Sequence, residues 1–243
     1  MLHIFETLLR LLLLPLLLVQ ALWVRLRAIS LPEPDGPRTG RVGGGAVLRL
    51  LILGDSSAAG VGVTHQRDAL SGQVVTNLAR LSPSRCIEWR LLAKTGHTTA
   101  DTLNALSELD GQKFDVCLTA LGVNDVTHLL SKRRFLTQQK TLFDLLHLDH
   151  GVQYIAATGI PPMGKLTLLP QPLRWVLGRQ AARLDQALEQ MCTDIPGVIY
   201  LKPELDDDPS VLASDGYHPG ARVYAHWGSG AAEVIAALPL KHG

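Results

Sequence analysis

The chain has 243 residues, with 23 basic and 22 acidic side chains and a formal net charge of +1 at pH 7. This length predicts one main folded domain, because domains commonly contain about 100–200 residues. The balanced charge argues against a nucleic-acid partner, since binding to a phosphate backbone needs a clear excess of basic side chains.

The amino-terminal segment is the least polar part of the chain. From Leu8 to Val24 almost every residue is apolar, and only Arg10, Pro15 and Gln20 interrupt the run. As a helix with a rise of ~1.5 Å per residue, this run is about 25 Å long, slightly shorter than the ~30 Å hydrocarbon core of a bilayer. Residues 1–29 are therefore predicted to anchor the protein at a membrane, either across it or along its surface.

The residues after this run bear on its orientation. Arg25 and Arg27 beside Trp23 are typical of the headgroup end of an anchor, and for a spanning segment they favour a cytoplasmic domain. Two alternatives stay open. One is a cleaved signal peptide with secretion, although positive charge does not precede the run and no clear small-residue cleavage site follows it. The other is a helix that packs on the protein itself.

Residues 30–45 are rich in proline and glycine, which predicts a linker, and residues 46–243 are predicted to form the folded domain. Within this domain, apolar or β-rich runs predict strands at residues 48–53, 87–93, 115–121, 153–158 and 198–201. Helices are predicted at residues 68–81, 99–109, 131–150, 172–192 and 219–238. Strands that alternate with helices predict an α/β fold, a three-layer α/β/α sandwich with a central five-stranded parallel sheet.

The residues that commonly bind metals are scattered along the chain. Cys86, Cys117 and Cys192 lack the close spacing of a zinc site and are predicted to be buried free thiols. His65, His97 and His128 occur singly, so no metal site is predicted. Phosphate-loop and dinucleotide-binding glycine motifs are also missing from the sequence, and no cofactor is predicted.

Four polar segments follow predicted strands or lie in a late loop, which is where open parallel sheets bind ligands. They are Gly54-Asp55-Ser56, Thr95-Gly96-His97, Gly122-Val123-Asn124-Asp125 and Asp215-Gly216-Tyr217-His218. A serine, a histidine and an aspartate among them are the residue types of nucleophilic ester hydrolysis.

Over about residues 48–238, the order and content of these segments resemble the conserved blocks of the SGNH or GDSL hydrolases. The resemblance implies a flavodoxin-like fold, a catalytic triad of Ser56, His218 and Asp215, and an oxyanion hole that includes Gly96 and Asn124. Leucine follows the serine in the older family name, and Ser57 occupies that position here.

The chemistry of these side chains agrees with the resemblance. His218 can accept the proton of Ser56 and return it to a leaving alcohol, while Asp215 fixes the histidine tautomer. The N–H groups of Ser56 and Gly96 and the side-chain amide of Asn124 can stabilise the oxyanion. Two further aspartates, Asp55 and Asp125, are expected to accept hydrogen bonds from nearby backbone N–H groups.

An unusually apolar loop follows the fourth predicted strand. Met163, Leu166, Leu168, Leu169 and Trp175 are predicted to form a wall for an acyl chain, although packing of this loop on its own domain stays open.

The resulting hypothesis is an esterase, lipase or lysophospholipase-like enzyme that cleaves small-molecule or lipid esters at a membrane. A carbohydrate O-acetyl esterase or an acyltransferase of the same fold is the alternative, and a lipid-binding protein without turnover is a third reading. No sequence feature specifies an oligomeric state.

Overall fold

The computed structural model describes residues 2–27, 29–204, 206 and 208–240, with side chains from Leu12 onward except Pro209. It confirms an α/β fold in which helices cover both faces of a central, mostly parallel sheet.

The sheet has six strands in the order β1-β3-β2-β4-β5-β6. All neighbouring strands are parallel except β1, which is antiparallel to β3. The strands are β1 (Thr39–Gly43), β2 (Ala46–Gly54), β3 (Arg85–Ala93), β4 (Val116–Ala120), β5 (Tyr154–Thr158) and β6 (Val198–Leu201). The five predicted strands correspond to β2 through β6, and their parallel pairing brings their carboxyl ends to one edge of the sheet.

The α-helices are α1 (Leu2–Arg27), α2 (Ser56–Ala59), α3 (Leu70–Leu81), α4 (Thr99–Ala105), α5 (Val123–Thr127), α6 (Lys132–Leu148), α7 (Leu173–Asp194) and α8 (Ala221–Ala236). Short 3₁₀ turns cover Gln66–Asp68, Leu106–Leu109, Met163–Lys165 and Pro209–Val211. The five long predicted helices are found as α3, α4 with its following turn, α6, α7 and α8. The short helices α2 and α5 begin directly after strand ends.

The two faces of β2 belong to two separate hydrophobic clusters. Leu50 and Ile52 pack with side chains from α3 and α8, whereas Leu51 and Leu53 pack with side chains from α6 and α7. Successive side chains of a strand point to opposite faces, so a continuous apolar run can fill both layers. The apolar run therefore correctly predicts a central strand that is buried on both sides.

The prediction of a linker over residues 30–45 is wrong for Thr39–Gly43, which forms strand β1 at the edge of the sheet. All five residues are exposed, so no pattern of apolar residues predicts this strand, and backbone pairing with β3 holds it in place. The preceding residues also contact the domain. Glu33 accepts hydrogen bonds of 2.8 Å from the N–H and the hydroxyl of Thr95 and forms an ion pair with Arg38.

Helix α1 packs on the domain along one stripe. Leu17 is buried in the same cluster as α6 and α7, and Leu13 and Val24 pack against that cluster. The side chain of Gln20 donates to the carbonyl of Gln171 at 2.6 Å and accepts from the N–H of Leu173 at 3.0 Å. Packing on the protein itself, which the sequence left open, therefore describes this stripe.

Beyond this stripe, the described side chains of α1, from Leu12 onward, include exposed apolar ones. Among the described residues, no helix is both long enough and apolar enough to cross a bilayer. The exposed apolar side chains are Leu12, Leu14, Leu16, Leu18, Val19, Leu22, Trp23 and Leu26. The helix thus combines a docked stripe with a wide apolar face.

The cysteine prediction is confirmed, because Cys86, Cys117 and Cys192 are all free and buried. Burial raises the pKa of the Cys117 thiol well above its ordinary value and raises the pKa of Cys192 to about 12. The Cys117 and Cys192 thiols are therefore protonated at neutral pH and pack as small apolar groups.

Candidate active site

Ser56 lies at the carboxyl end of β2, as the first residue of the short helix α2. The preceding Asp55 caps this helix by accepting a 2.9 Å hydrogen bond from the N–H of Ser57. The helix ends at Gly60, whose φ of +96° is in the left-handed region that glycine adopts without strain. The turn therefore holds the serine at the sheet edge in a defined orientation.

A chain of hydrogen bonds joins Ser56 to residues that are distant in sequence. The Nε2 atom of His218 is 2.9 Å from the Oγ atom of Ser56, and its Nδ1 atom is 2.6 Å from Oδ2 of Asp215. Oδ1 of Asp215 accepts from the backbone N–H groups of Tyr217 and His218 at 2.9 and 3.0 Å. The structure thus brings together the three residues that the sequence predicts as a triad.

The environment of Asp215 keeps this carboxylate ionised. Burial alone would raise its pKa, but hydrogen bonds from the His218 ring and from the N–H groups of His218 and Tyr217 outweigh burial and lower the pKa below its ordinary value. An ionised Asp215 accepts a hydrogen bond from the N–H group at Nδ1 of His218. The Nε2 atom is then free to act as a base toward Ser56.

Asn124 contacts both the turn that contains Gly96 and the residue before Ser56. Asn124 is the second residue of α5, which follows β4, and its side-chain N–H group donates to the carbonyl of His97 at 2.9 Å. The same amide nitrogen is 3.5 Å from Oδ2 of Asp55. Gly96 has a φ of +86°, and a Cβ added there would meet nothing within 4 Å. These contacts join Asn124 to the residue after Gly96 and to the residue before Ser56.

Asp125 connects the Gly96 turn to α5. Its buried carboxylate accepts from the N–H of Thr99 at 3.2 Å and from its hydroxyl at 2.8 Å, and the Gln139 side chain donates to that hydroxyl at 2.9 Å. Asp55 and Asp125 both contact backbone N–H groups, as predicted. Burial raises the pKa of both carboxyls, and that of Asp55 reaches about 7.

A cavity of about 430 Å³ opens beside Ser56 and His218, within the range of about 300–1,000 Å³ that small-molecule sites occupy. The predicted wall contributes only Leu166 to its lining. Met163 and Leu169 are buried in the core beside α7, and Trp175 packs partly buried against the same core. The prediction of a wall from these three residues is therefore wrong, because their side chains face inward rather than toward the serine.

The sequence analysis missed the main apolar wall of the cavity. This wall is formed by the end of β6 and one side of α8, and its apolar residues include Leu201, Val223, Trp227, Ala231 and Val234. The sequence did contain a signal, because the apolar stripe of α8 is wider than a helix needs to pack on one neighbouring element. The side chains of α8 that already pack in the core are Tyr224, Ala231, Ala232 and Ile235.

Asp185 on α7 positions the strand ends that border the cavity. Its Oδ1 atom accepts from the N–H of Ile160 at 2.7 Å and from the hydroxyl of Tyr200 at 2.9 Å. Burial raises the pKa of Asp185, and burial together with this carboxyl raises the pKa of Tyr200. Asp185 thus ties α7 to Tyr200 of β6 and to Ile160, the residue after Gly159, and Gly159 lines the same cavity as Ser56. Over the described residues, no group of three or more metal-binding side chains converges.

Comparisons with known proteins relate the chain to one family. Residues 52–226 match the model of the GDSL-like lipase/acylhydrolase family. A GDSL-like esterase of Mycobacterium tuberculosis is 28% identical over 214 residues, which cover 80% of this chain and 66% of that protein. The chain thus spans just under two thirds of the length of this relative.

Solved structures show the same fold at low identity. Esterase EstA from Pseudoalteromonas superposes with a TM-score of 0.58 at 18% identity, covering 76% of this chain and 94% of the other. Acetylxylan esterase Axe2 from Geobacillus stearothermophilus superposes with a TM-score of 0.55 at 19% identity, and the match covers 81% of this chain and 96% of Axe2. An extracellular lipase from Streptomyces rimosus superposes with a TM-score of 0.56 at 16% identity, and the match covers 77% of this chain and 99% of the lipase. With the family match over most of the domain, the chain belongs to the GDSL-like lipase/acylhydrolase family.

Proposed function

We propose that the protein is a serine hydrolase that cleaves carboxylic esters through an acyl-enzyme on Ser56. The observation that carries the proposal is the continuous hydrogen-bond chain from Ser56 through His218 to Asp215 at the edge of an apolar cavity. A serine hydroxyl is a weak nucleophile by itself, and a base within hydrogen-bonding distance removes this limit.

In the first half of the reaction, Nε2 of His218 takes the proton of Ser56 as Oγ attacks the ester carbonyl carbon. The carbonyl oxygen becomes an oxyanion, which the N–H groups of Ser56 and Gly96 and the side-chain amide of Asn124 stabilise. The protonated His218 then gives its proton to the leaving alcohol, and the carbon–oxygen bond to that alcohol breaks.

In the second half, a water molecule loses a proton to His218 and attacks the acyl-enzyme. The second tetrahedral intermediate collapses, the proton returns to the Oγ atom of Ser56, and the carboxylic acid leaves. Asp215 keeps its negative charge throughout and stabilises the imidazolium that forms twice in each cycle. Its lowered pKa supports this role.

Labelling with a fluorophosphonate and hydrolysis of p-nitrophenyl acetate test the proposal together. We expect the wild type to be labelled and active and Ser56→Ala to lose both, with a fall in kcat of more than about 10³-fold. Ser57→Ala is the matched control, because it removes a hydroxyl one residue away. Labelling of Ser56→Ala, or ester hydrolysis above about a tenth of the wild-type rate, would contradict the nucleophile assignment.

The chemistry of the cavity favours lipid-like esters over carbohydrate esters. Aliphatic side chains are the largest group in its lining, beside the aromatic rings of Tyr200, Tyr217 and Trp227. Sugar sites depend more on polar partners and stacked aromatic rings than on aliphatic surface. The alternative, a carbohydrate O-acetyl esterase or acyltransferase, predicts the opposite preference. Faster turnover of acetylated oligosaccharides than of any simple acyl ester would support that alternative.

The exposed face of α1 is the basis for a proposed membrane location. Eight exposed apolar side chains lie along the helix opposite its docked stripe, and Arg25 and Arg27 follow at its end. The Arg27 guanidinium lies 5.7 Å from the centre of the Trp23 ring. Apolar side chains beside arginines and a tryptophan suit the interface of a bilayer with anionic headgroups.

Substitution of the exposed face tests this location better than truncation, because deletion of α1 would also remove Leu17 from the core. We expect a Leu18→Glu, Leu22→Glu double variant to lose sedimentation with anionic vesicles but to hydrolyse soluble esters at the wild-type rate. Leu148→Glu, at an exposed leucine on α6, is the control. Unchanged sedimentation of the double variant would refute a membrane contact through α1.

A further inference from the structure

The cavity beside Ser56 continues as a groove along one side of α8. Val223, Trp227, Gly230 and Val234 border it and recur at intervals of three or four residues, so they form one stripe of the helix. At ~1.5 Å per residue, this stripe is about 16 Å long. Because Val223 lies near Pro219 and His218, the stripe leads away from the catalytic residues.

The floor of this groove is apolar and rigidly held. The Trp227 ring stacks on Tyr224 with an interplanar angle of 11°, and its indole N–H donates to the Thr158 hydroxyl at 3.3 Å. Leu201 at the end of β6 borders the groove on the opposite side. An apolar chain in contact with these groups would be removed from water over much of its length.

Polar side chains lie at the rim. His226 on α8 and Glu204 after β6 both line the groove, and Nε2 of His226 is 2.6 Å from Oε2 of Glu204. Both side chains are largely exposed. An apolar floor below a polar bridge between the two sides is suited to an extended hydrocarbon chain rather than to a polar ligand.

Gly230 lines the groove without a side chain. A Cβ added at Gly230 would meet nothing within 4 Å, so glycine is not required here for helix packing. Gly228, two residues earlier, is the contrast, because a Cβ there would collide with the backbone and side chain of Gln73 on α3. Glycine lowers helix stability relative to alanine, and no packing contact explains its presence at this position of α8.

We infer that the groove along α8 binds the acyl chain of the ester and that Gly230 keeps it open to long chains. This inference rests on the proposed ester hydrolysis at Ser56. During catalysis the alcohol must leave and water must enter, whereas the acyl chain stays attached to the serine until the second step. A groove that is bordered on both sides suits the part of the substrate that stays.

The test compares p-nitrophenyl esters from acetyl through octanoyl to dodecanoyl. For Gly230→Leu we expect kcat/KM on the dodecanoyl ester to fall by about tenfold or more, the range that misfitted methylene groups produce in apolar pockets, with the acetyl ester unchanged. Gly230→Ala should give an intermediate profile. Ala225→Leu is the control, because this exposed residue lies on the side of α8 away from the groove.

Labelling rates with ethyl and dodecyl fluorophosphonates give a second readout that needs no turnover, and Gly230→Leu should slow only the dodecyl probe. A chain-length profile equal to that of the wild type would overturn the inference and leave the hydrolase proposal intact. If Gly230→Leu lost activity only on acetate esters of long-chain alcohols and kept wild-type activity on long acyl esters, the groove would not be the acyl-chain site. A wild type without hydrolysis or labelling would instead refute the proposed function itself.

Discussion

The carboxyl group of Asp55 lies directly before the nucleophile and provides a quantitative test of the electrostatics of the site. Asp55 is 2% exposed and accepts a hydrogen bond from the N–H of Ser57. Burial raises its pKa from 3.8 to about 7 despite that hydrogen bond, and the nearby Asp125 contributes in the same direction. The carboxyl group is therefore protonated in the folded protein at a pH where it is ionised in the unfolded chain.

This raised pKa has a definite sign for stability. As the pH rises, the unfolded chain releases the proton near its ordinary pKa, while the folded protein keeps it until about pH 7. The stabilising contribution is therefore complete below the unfolded pKa and is lost as the pH rises to about 7. Each pH unit in this window corresponds to about 1.4 kcal/mol, so the total for Asp55 is about 4 kcal/mol.

Asp55→Asn removes this titration and keeps an oxygen that can accept from Ser57. We expect the difference in free energy of unfolding, variant minus wild type, to grow by about 4 kcal/mol as the pH is raised from about 4 to about 8, because only the wild type loses the contribution of protonated Asp55. Urea unfolding followed by circular dichroism at several pH values measures it. Asp110→Asn, at an exposed turn, is the control for loss of a surface carboxylate. A difference that stays constant within about 0.5 kcal/mol over this range would refute the reasoning.

Three further substitutions test other contacts. Asn124→Ala should lower kcat by about 10²–10³-fold with little change in KM, because the amide binds the oxyanion of the transition state; a rise in KM alone would make Asn124 a substrate-binding residue. Asp215→Asn should lower kcat by about 10⁴-fold, because an asparagine would favour the wrong tautomer of His218. Steady-state kinetics measures this fall, and circular dichroism checks that the fold of the variant is unchanged. Tyr224→Phe should reduce the free energy of unfolding by about 1–3 kcal/mol, because the carbonyl of Val61 loses the buried 2.7 Å hydrogen bond from the tyrosine; an unchanged urea midpoint would refute this.

The positions of Ser56 and Asn124 at the binding edge were predictable because strand ends follow from local pattern. The apolar run before Gly54 predicts a buried strand, and in a parallel sheet the residue after such a strand lies at the binding edge. The same argument places Asn124 after β4. His218 and Asp215 are linked by a short turn, so the sequence predicts their contact, while their approach to Ser56 follows from the family resemblance.

Other features depend on contacts that leave no local signature. Strand β1 has only exposed side chains and is held by backbone hydrogen bonds to β3, and backbone groups are the same in every sequence. Helix α1 is apolar around most of its surface, so its sequence does not tell which stripe packs. Only the position of α7 decides that Leu17 is buried and Leu18 exposed.

The sequence by itself thus determined where strands β2 to β6 lie along the chain, which residues follow them and the chemistry that those residues can perform. The tertiary structure alone decided which apolar side chains line the cavity. Met163 and Leu169 face the core while Val223 and Trp227 face the cavity, although all four are apolar and near the site. The reason is that the hydrophobic effect is non-directional and depends only on the apolar area removed from water. Composition therefore predicts that a side chain avoids water but not which neighbour it contacts.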